Sequence, residues 1–183
     1  MAPPSVSIPM PSFKYAQIEY ERRFLLRQLP SDLQRDQFIQ ITDVYIPYTR
    51  LRLRKMASPS GEILALKLTQ KYSHSDLPAS QTIITNFYLN GVEFDTLAGL
   101  NGRLLTKHRY THHHAGHRWS LDVFQGPLHG LILAEIEAQS AEALAQIPIP
   151  RFAFKEVTDD PRFTGGALVQ VTDETITTLL AHS

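Results

Sequence analysis

The sequence of 183 residues contains no cysteine. This excludes disulfides, thiolate metal sites and cysteine nucleophiles, and it fits a reducing cytoplasm. An excess of charge is also missing, because 18 basic residues balance 18 acidic residues. Nothing therefore favours bulk electrostatic capture of nucleic acid or of an anionic membrane. Any function that depends on charge must be local.

Several other signals are absent from the chain. No apolar run approaches the roughly 20 residues of a membrane-spanning helix, and there is neither a Gly-rich Walker loop nor a nucleophile elbow. Residues 1–12 are rich in Pro and Ser and lack the basic start and apolar core of a signal peptide. We expect a soluble cytoplasmic protein with a flexible tail at residues 1–12 and a single domain at residues 13–183.

Strand signals outnumber helix signals along the chain. Segments that are rich in β-branched residues or alternate polar with apolar side chains predict strands at residues 18–26, 38–48, 49–55, 62–71, 81–89, 104–110, 118–124 and 131–138. Short helices are predicted at residues 32–38, 91–100, 141–146 and 172–182. The expected fold class is therefore α+β and mainly β.

Charged and apolar side chains alternate along most of these strands. Arg50, Arg52 and Arg54 share one face of their strand, whereas Leu51 and Leu53 lie on the other. The charge is also sorted by strand. Basic residues on such faces are Lys67, Lys71, Lys107 and Arg109, and acidic residues are Glu19, Glu21, Glu135 and Glu137. Solvated sheet faces usually mix both signs, so this sorting indicates a binding surface.

Strands with one charged and one apolar face predict a closed barrel with a polar interior. Such strands are compatible with water if the sheet closes and other elements cover its apolar outside. Basic walls suit phosphate oxygens, and carboxylates suit Mg²⁺ or Mn²⁺. The interior is therefore predicted to bind a polyphosphate together with its metal.

The order of the charged residues resembles that of a known family. The pattern is Glu19-x-Glu21-x-Arg23, Arg50-x-Arg52, Lys67, Lys107-x-Arg109, Asp122 and Glu135-x-Glu137. Further similarity lies in Leu121-Asp122-Val123-Phe124, in Gly130-Leu131 before Ala134-Glu135-Ile136-Glu137, and in Lys155-Glu156-Val157-Thr158 with Arg162-Phe163. From residue 15 to about residue 169, the chain resembles the CYTH proteins, also called triphosphate tunnel metalloenzymes.

This resemblance implies a closed eight-stranded antiparallel β-barrel with surrounding helices. It also implies a triphosphate substrate and hydrolysis of inorganic triphosphate, with thiamine triphosphate hydrolysis or class IV adenylate cyclase activity as alternatives. The implied ligands of Mg²⁺ or Mn²⁺ are Glu19, Glu21 and Glu137, with Glu135 and Asp122 close to the metal or its water. The implied phosphate-binding residues are Arg50, Arg52, Lys67, Lys107 and Arg109. Arg54, which shares the face of Arg52, and Lys155, which is expected near a tunnel mouth, are also predicted to bind the substrate. The predicted catalytic residues are Glu21, Arg23, Asp122 and Glu135.

Two positions depart from the family pattern. The family has Lys where this chain has Arg23. Arg23 can bind phosphate or orient water, but it cannot act as a general base because a guanidinium is not deprotonated in proteins. The segment at residues 81–86 carries no charge, whereas many bacterial members have Arg and paired Glu there. These departures leave open a non-catalytic module that binds polyphosphate or nucleotides.

Two further features leave alternatives open. A cluster of four histidines is typical of a zinc site: His112, His113, His114 and His117. A solvated hairpin turn explains them better, because no carboxylate or cysteine lies at a convincing spacing for zinc. The three predicted helices near residues 32, 91 and 172 cover only part of the apolar outside of the barrel. A homodimer interface is one way to cover the remainder.

Overall fold

The computed structural model describes residues 15–73 and 76–181, so the tail predicted at residues 1–12 lies outside the described residues. The strands are β1 (Gln17–Leu25), β2 (Ile39–Tyr45), β3 (Leu51–Ala57), β4 (Ile63–Tyr72), β5 (Gln81–Tyr88), β6 (Arg103–His114), β7 (His117–Phe124), β8 (Ile132–Ala138) and β9 (Lys155–Glu156). The helices are α1 (Gly91–Ala98), α2 (Ala141–Ala145), α3 (Gly165–Leu168) and α4 (Asp173–Ala181), and single 3₁₀ turns span Gly126–Leu128 and Pro161–Phe163. None of the described helices is long and apolar enough to cross a membrane.

Eight strands form a closed antiparallel barrel. They pair in the order β5, β4, β3, β2, β6, β7, β8, β1, and β1 also pairs with β5, which closes the ring. The two-residue strand β9 lies outside the ring and pairs with Phe24 and Leu25 of β1. The closed eight-stranded barrel that the family resemblance implies is confirmed.

Two local predictions are wrong. Residues 32–38 form turns rather than a helix. Leu33 and Phe38 pack on the barrel from this segment, and so short a helix would gain too little packing to offset its nucleation cost. The prediction of a solvated turn is wrong for His112, because β6 continues to His114 and His112 is only 6% exposed, whereas His113 and the loop residues Ala115 and Gly116 are exposed.

The β6–β7 loop consists of two residues in the left-handed region. Ala115 has φ 51° and Gly116 has φ 79°. Two consecutive residues at positive φ match the twist of the flanking strands, so both strands extend to the loop. His112 consequently packs edge-on against Phe152, with ring centroids 5.4 Å apart.

A hydrophobic cluster covers the outside of β1, β6, β7 and β8. It contains residues from these strands and from the segments around them: Phe24, Leu26, Leu33, Tyr110, Trp119, Leu121, Ala134, Ile136, Leu144 and Ile147. Further along the ring, Leu53 is 1% exposed on the outer face of β3, and Leu51 is half-buried. Most of the outer side chains are thus apolar, as their alternation predicts, although Arg22 of β1 and Lys55 of β3 also lie on the outer face.

A second hydrophobic cluster closes one end of the barrel interior. The inner side chains Leu25, Leu105, Phe124 and Leu133 pack there against the C-terminal segment, which contributes Val157, Phe163, Leu168, Ile176 and Leu179. These four inner residues stand at the end of β1, the start of β6, the end of β7 and the start of β8. In an antiparallel barrel the end of one strand lies beside the start of the next, so all four residues lie at the same end of the barrel. The C-terminal segment plugs that end.

Candidate metal and phosphate site inside the barrel

The charged residues of the alternating strands lie on the inner face of the barrel. Residues directly paired across antiparallel strands lie on one face. The register pairs Arg54 with both Asp43 and Lys67. This face is the interior, because Arg109, on the same face of β6, donates to Glu135 of β8 although these strands are not neighbours.

Three carboxylates converge away from the plugged end. Glu21 on β1 pairs directly with Glu137 on β8, and Glu19 precedes Glu21 on the same face. One oxygen atom from each of these three side chains lies within 4.8 Å of the others. In the described part of the chain, this is the group of His, Asp and Glu side chains that is close enough to hold a metal ion. Hard oxygen donors of this kind suit Mg²⁺ or Mn²⁺.

The mutual proximity of the carboxylates shifts their acidity. Burial, and then the negative charge of Glu135, raise the pKa of Glu21 to about 7. Burial, and then the charges of Glu19 and Glu135, raise the pKa of Glu137 above its ordinary value. Like-charged groups held close together ionise reluctantly, and a bound divalent cation would relieve that repulsion.

Lys71 lies beside this carboxylate group. Its Nζ donates to Oε2 of Glu19 at 2.5 Å. Burial alone would lower the pKa of Lys71, but the charges of Glu21 and Glu19 outweigh it and raise the pKa. Sequence alternation places Lys71 on the inner face, but only the register between β4, β5 and β1 brings it to the carboxylate group.

Asp122 and Glu135 form an ionic network with Lys107 and Arg109. Asp122 is fully buried and accepts from Lys107 Nζ, from Arg109 Nε at 2.7 Å and from Arg109 Nη2 at 2.6 Å. Arg109 also donates to Glu135. Burial alone would raise the pKa of Glu135, but Lys107 and Arg109 outweigh it and hold the pKa below its usual range. Asp122 therefore orients the side chains of Lys107 and Arg109. The structure does not bring Asp122 into the converging carboxylate group.

Asp43 lies in the charged interior, although the sequence patterns do not single it out. It is 1% exposed and accepts two hydrogen bonds from Arg54, from Nε at 2.6 Å and from Nη2 at 2.7 Å. Arg52 Nε lies 3.8 Å from the same carboxylate and is buried without a hydrogen-bond partner. In the sequence, Asp43 is a single acidic residue on a strand face that otherwise carries Ile41 and Tyr45. Such a face is typical of a hydrophobic core, so the pattern did not indicate a charged site.

The neutral strand β5 contributes a hydrogen-bonded wall. Thr69 Oγ1 donates to Asn86 Oδ1 at 2.7 Å and accepts from Arg52 Nη2 at 3.3 Å. Thr82 and Ile84 share the inner face with Asn86, because Ile84 pairs with Lys71. This wall therefore holds Arg52 through Thr69 instead of adding charge.

The remaining predicted phosphate ligands occupy three different environments. Lys67 lies on the inner face next to Arg54, with its Nζ 4.9 Å from the centroid of the Tyr88 ring. Arg50 is exposed just before β3 and stacks 4.6 Å from the Tyr72 ring. Lys155 is exposed on β9, outside the ring. The structure therefore brings Lys67 to the site but not Arg50 or Lys155.

Arg23 is on the inner face but binds backbone oxygens. Its Nη1 donates to the carbonyl of Phe163 and its Nη2 to the carbonyl of Thr158, both at 2.9 Å. Its Nε lies 3.7 Å from Oε1 of Glu21. Arg23 thus stands between the plug and the carboxylate group.

Comparison with solved structures connects this arrangement to known proteins. No protein-family model matches the chain, and no curated protein matches its sequence. Two crystal structures of NE1496 match it at 26% identity, with TM-scores of 0.56 and 0.55. They cover 84% and 82% of this chain and 99% and 93% of theirs, and the second describes NE1496 as an inorganic triphosphatase.

The likeness to NE1496 spans more than four fifths of the chain and confirms the family resemblance. A weaker match is PH1819 from Pyrococcus horikoshii, at 16% identity and a TM-score of 0.48, over 69% of this chain and 82% of that one.

Proposed function

We propose that this protein is a divalent-metal-dependent hydrolase of a triphosphate, with inorganic triphosphate as substrate. The observation that carries the proposal is the convergence of Glu19, Glu21 and Glu137 beside a basic wall inside one closed barrel. The likeness to NE1496, described as an inorganic triphosphatase, supports this choice of substrate.

The carboxylate group would hold Mg²⁺ or Mn²⁺. Glu19, Glu21 and Glu137 offer oxygen donors that are already within 4.8 Å of one another, and Glu135 stands next to them on β8. When bound, such a cation neutralises phosphate charge and makes an attacking water more acidic. Glu135 stays ionised because Lys107 and Arg109 lower its pKa, so it can accept a hydrogen bond from a water at the site.

The basic wall would hold the phosphate chain. An arginine has five N–H donors, so the two that Arg54 gives to Asp43 leave others for phosphate oxygens. Arg52 Nε is a buried donor in need of an acceptor. Lys67, Lys107 and Arg109 extend the wall. Because Asp43 and Asp122 fix these cations beforehand, little reorganisation is needed when charge moves to the leaving phosphate.

Phosphate release from inorganic triphosphate tests the proposal. The assay is run with Mg²⁺ or Mn²⁺, with a chelator control, and with thiamine triphosphate and ATP as competing substrates. We expect metal-dependent release that Glu21→Gln lowers by at least roughly 100-fold, since even changes outside the ligand shell cost 10- to 100-fold. Glu62→Gln, at an exposed residue of the β3–β4 turn, should leave the rate unchanged.

A second candidate is a non-catalytic module that binds a triphosphate. The uncharged inner face of β5 favours it, because that wall offers no further carboxylates. Tight triphosphate binding with no phosphate release from any of the three substrates would establish this alternative. The cytoplasmic location and the homodimer remain predictions.

A further inference from the structure

The C-terminal segment is tied to β1 by bonds that surround Arg23. Besides the two carbonyl bonds of its guanidinium, the backbone N–H of Arg23 donates to Thr158 Oγ1 at 3.1 Å. The backbone N–H of Val157 donates to the carbonyl of Arg23 at 2.8 Å. Val157 and Phe163 in turn belong to the cluster that plugs the barrel. A shift of residues 157–163 would therefore move Arg23.

All three nitrogen groups of the Arg23 guanidinium face protein oxygens. Two donate to backbone carbonyls, and Nε faces Glu21 at 3.7 Å. The side chain is 11% exposed. This geometry leaves Arg23 poorly placed to bind a phosphate, unlike Arg52 with its unpartnered Nε. A lysine could not replace it, because one ammonium cannot reproduce the planar fork that reaches two carbonyls.

We propose that Arg23 is a positioning residue that couples the C-terminal plug to the metal-binding carboxylate of Glu21. The Arg23 guanidinium binds the carbonyls of Thr158 and Phe163 with Nη2 and Nη1. Its Nε keeps a positive charge 3.7 Å from the carboxylate of Glu21. This inference rests on the proposed function only in that Glu21 is taken to bind the metal. Coupling of this kind is reciprocal, so metal at Glu21 should also stabilise the plug.

Arg22 is a matched control in the neighbouring position. Its Nε and Nη2 donate to both oxygens of Glu156 at 2.8 Å, and its Nη1 donates to the carbonyl of Ile147 at 2.7 Å. Its side chain is 15% exposed, close to the 11% of Arg23. Arg22 thus also anchors the C-terminal half of the chain, but its side chain lies on the outer face, opposite to that of Glu21.

The experiment measures Mn²⁺ affinity by calorimetry without substrate, and amide hydrogen exchange of residues 157–164 with and without Mn²⁺. In the unsubstituted protein, Mn²⁺ should slow exchange in this segment. Arg23→Met should weaken Mn²⁺ binding by roughly 10- to 100-fold, as for other groups that orient a metal ligand, and should remove the Mn²⁺-dependent slowing. Arg22→Met should speed basal exchange but keep both the affinity and the slowing.

Arg23→Lys separates geometry from charge and serves where Arg23→Met fails to fold. It keeps a positive charge beside Glu21, yet it should lose the Mn²⁺-dependent slowing of exchange. Wild-type behaviour of Arg23→Lys in both measurements, or equal effects of Arg22→Met and Arg23→Met on affinity, would overturn the coupling. Mn²⁺ binding that Glu21→Gln leaves unchanged would overturn the proposed function and the coupling together.

Discussion

Glu21 is the residue at which burial and charge oppose the ionised form most clearly. Burial and the neighbouring charge of Glu135 raise its pKa to about 7, against the pull of Lys71. The carboxyl is therefore largely protonated below pH 7 when no metal is present. A metal ion binds the ionised form only, so it must displace this proton.

Metal affinity should consequently depend on pH. Below about pH 7, Mn²⁺ affinity should fall by up to tenfold per pH unit, because one proton competes with the metal. The sign follows from the raised pKa, since lower pH favours the protonated carboxyl. Calorimetric titrations in two buffers of different ionisation enthalpy would count the protons released. Affinity that is flat between about pH 6 and pH 8, with no proton release, would contradict the assignment of Glu21 as a ligand.

At the scale of elements, the plug depends on a close approach between β2 and α3. A Cβ atom added at Gly165, the first residue of α3, would lie 2.0 Å from the hydroxyl oxygen of Tyr45. Tyr45 packs against the plug cluster that contains Leu168. Glycine is therefore needed at this position for contact and not for its backbone angles.

Gly165→Ala should destabilise the plug. We expect a loss of about 1–3 kcal/mol in the free energy of unfolding, the usual cost of overpacking, measured by urea denaturation. Gly166→Ala is the matched control, because a Cβ there meets no atom within 4 Å. It should be neutral or slightly stabilising, since Ala is the better helix former. Equal losses in both variants would show that the contact with Tyr45 is unimportant.

Strand interiors were predictable from sequence, whereas strand ends were not. The period of two assigns Glu19, Glu21, Lys107 and Glu135 to inner faces because an unbroken strand fixes the direction of each side chain. The same alternation assigns Arg50 to the inner face. However, β3 begins only at Leu51, and Arg50 stacks on the Tyr72 ring instead of pointing into the barrel site. Strand ends are set by pairing partners and turns, which alternation does not encode.

At the scale of the whole molecule, the fold encloses a charged interior that depends on contacts between distant strands. The sequence identifies which strands are basic and which are acidic. Which charged residues form ion pairs with one another depends on the register and the order of the strands. Asp43 is the clearest example. Its pairing with Arg54 requires β2 beside β3, and its proximity to Lys107 requires β2 beside β6. Neither adjacency is visible in the strand containing Asp43.

The buried pair of Asp43 and Arg54 should make stability depend on pH. Burial would raise the pKa of Asp43, but the charge and hydrogen bonds of Arg54 outweigh it and lower the pKa. The pair therefore stabilises the fold above the unfolded pKa of about 3.9, and this contribution is lost as pH falls below that value. Asp43→Asn should cost about 3–5 kcal/mol at neutral pH, because it leaves Arg54 buried without its counter-charge.

Asp160→Asn distinguishes the buried pair from an ordinary surface pair. Asp160 also accepts several hydrogen bonds from an arginine, Arg162, but the Arg162 side chain is 46% exposed. Solvent screens such a pair, so Asp160→Asn should lower the free energy of unfolding much less than Asp43→Asn does. Denaturant unfolding at neutral and acidic pH should show a flatter pH dependence for Asp43→Asn than for Asp160→Asn. Equal losses at neutral pH would mean that solvent reaches the barrel interior well enough to screen its charges as at the surface.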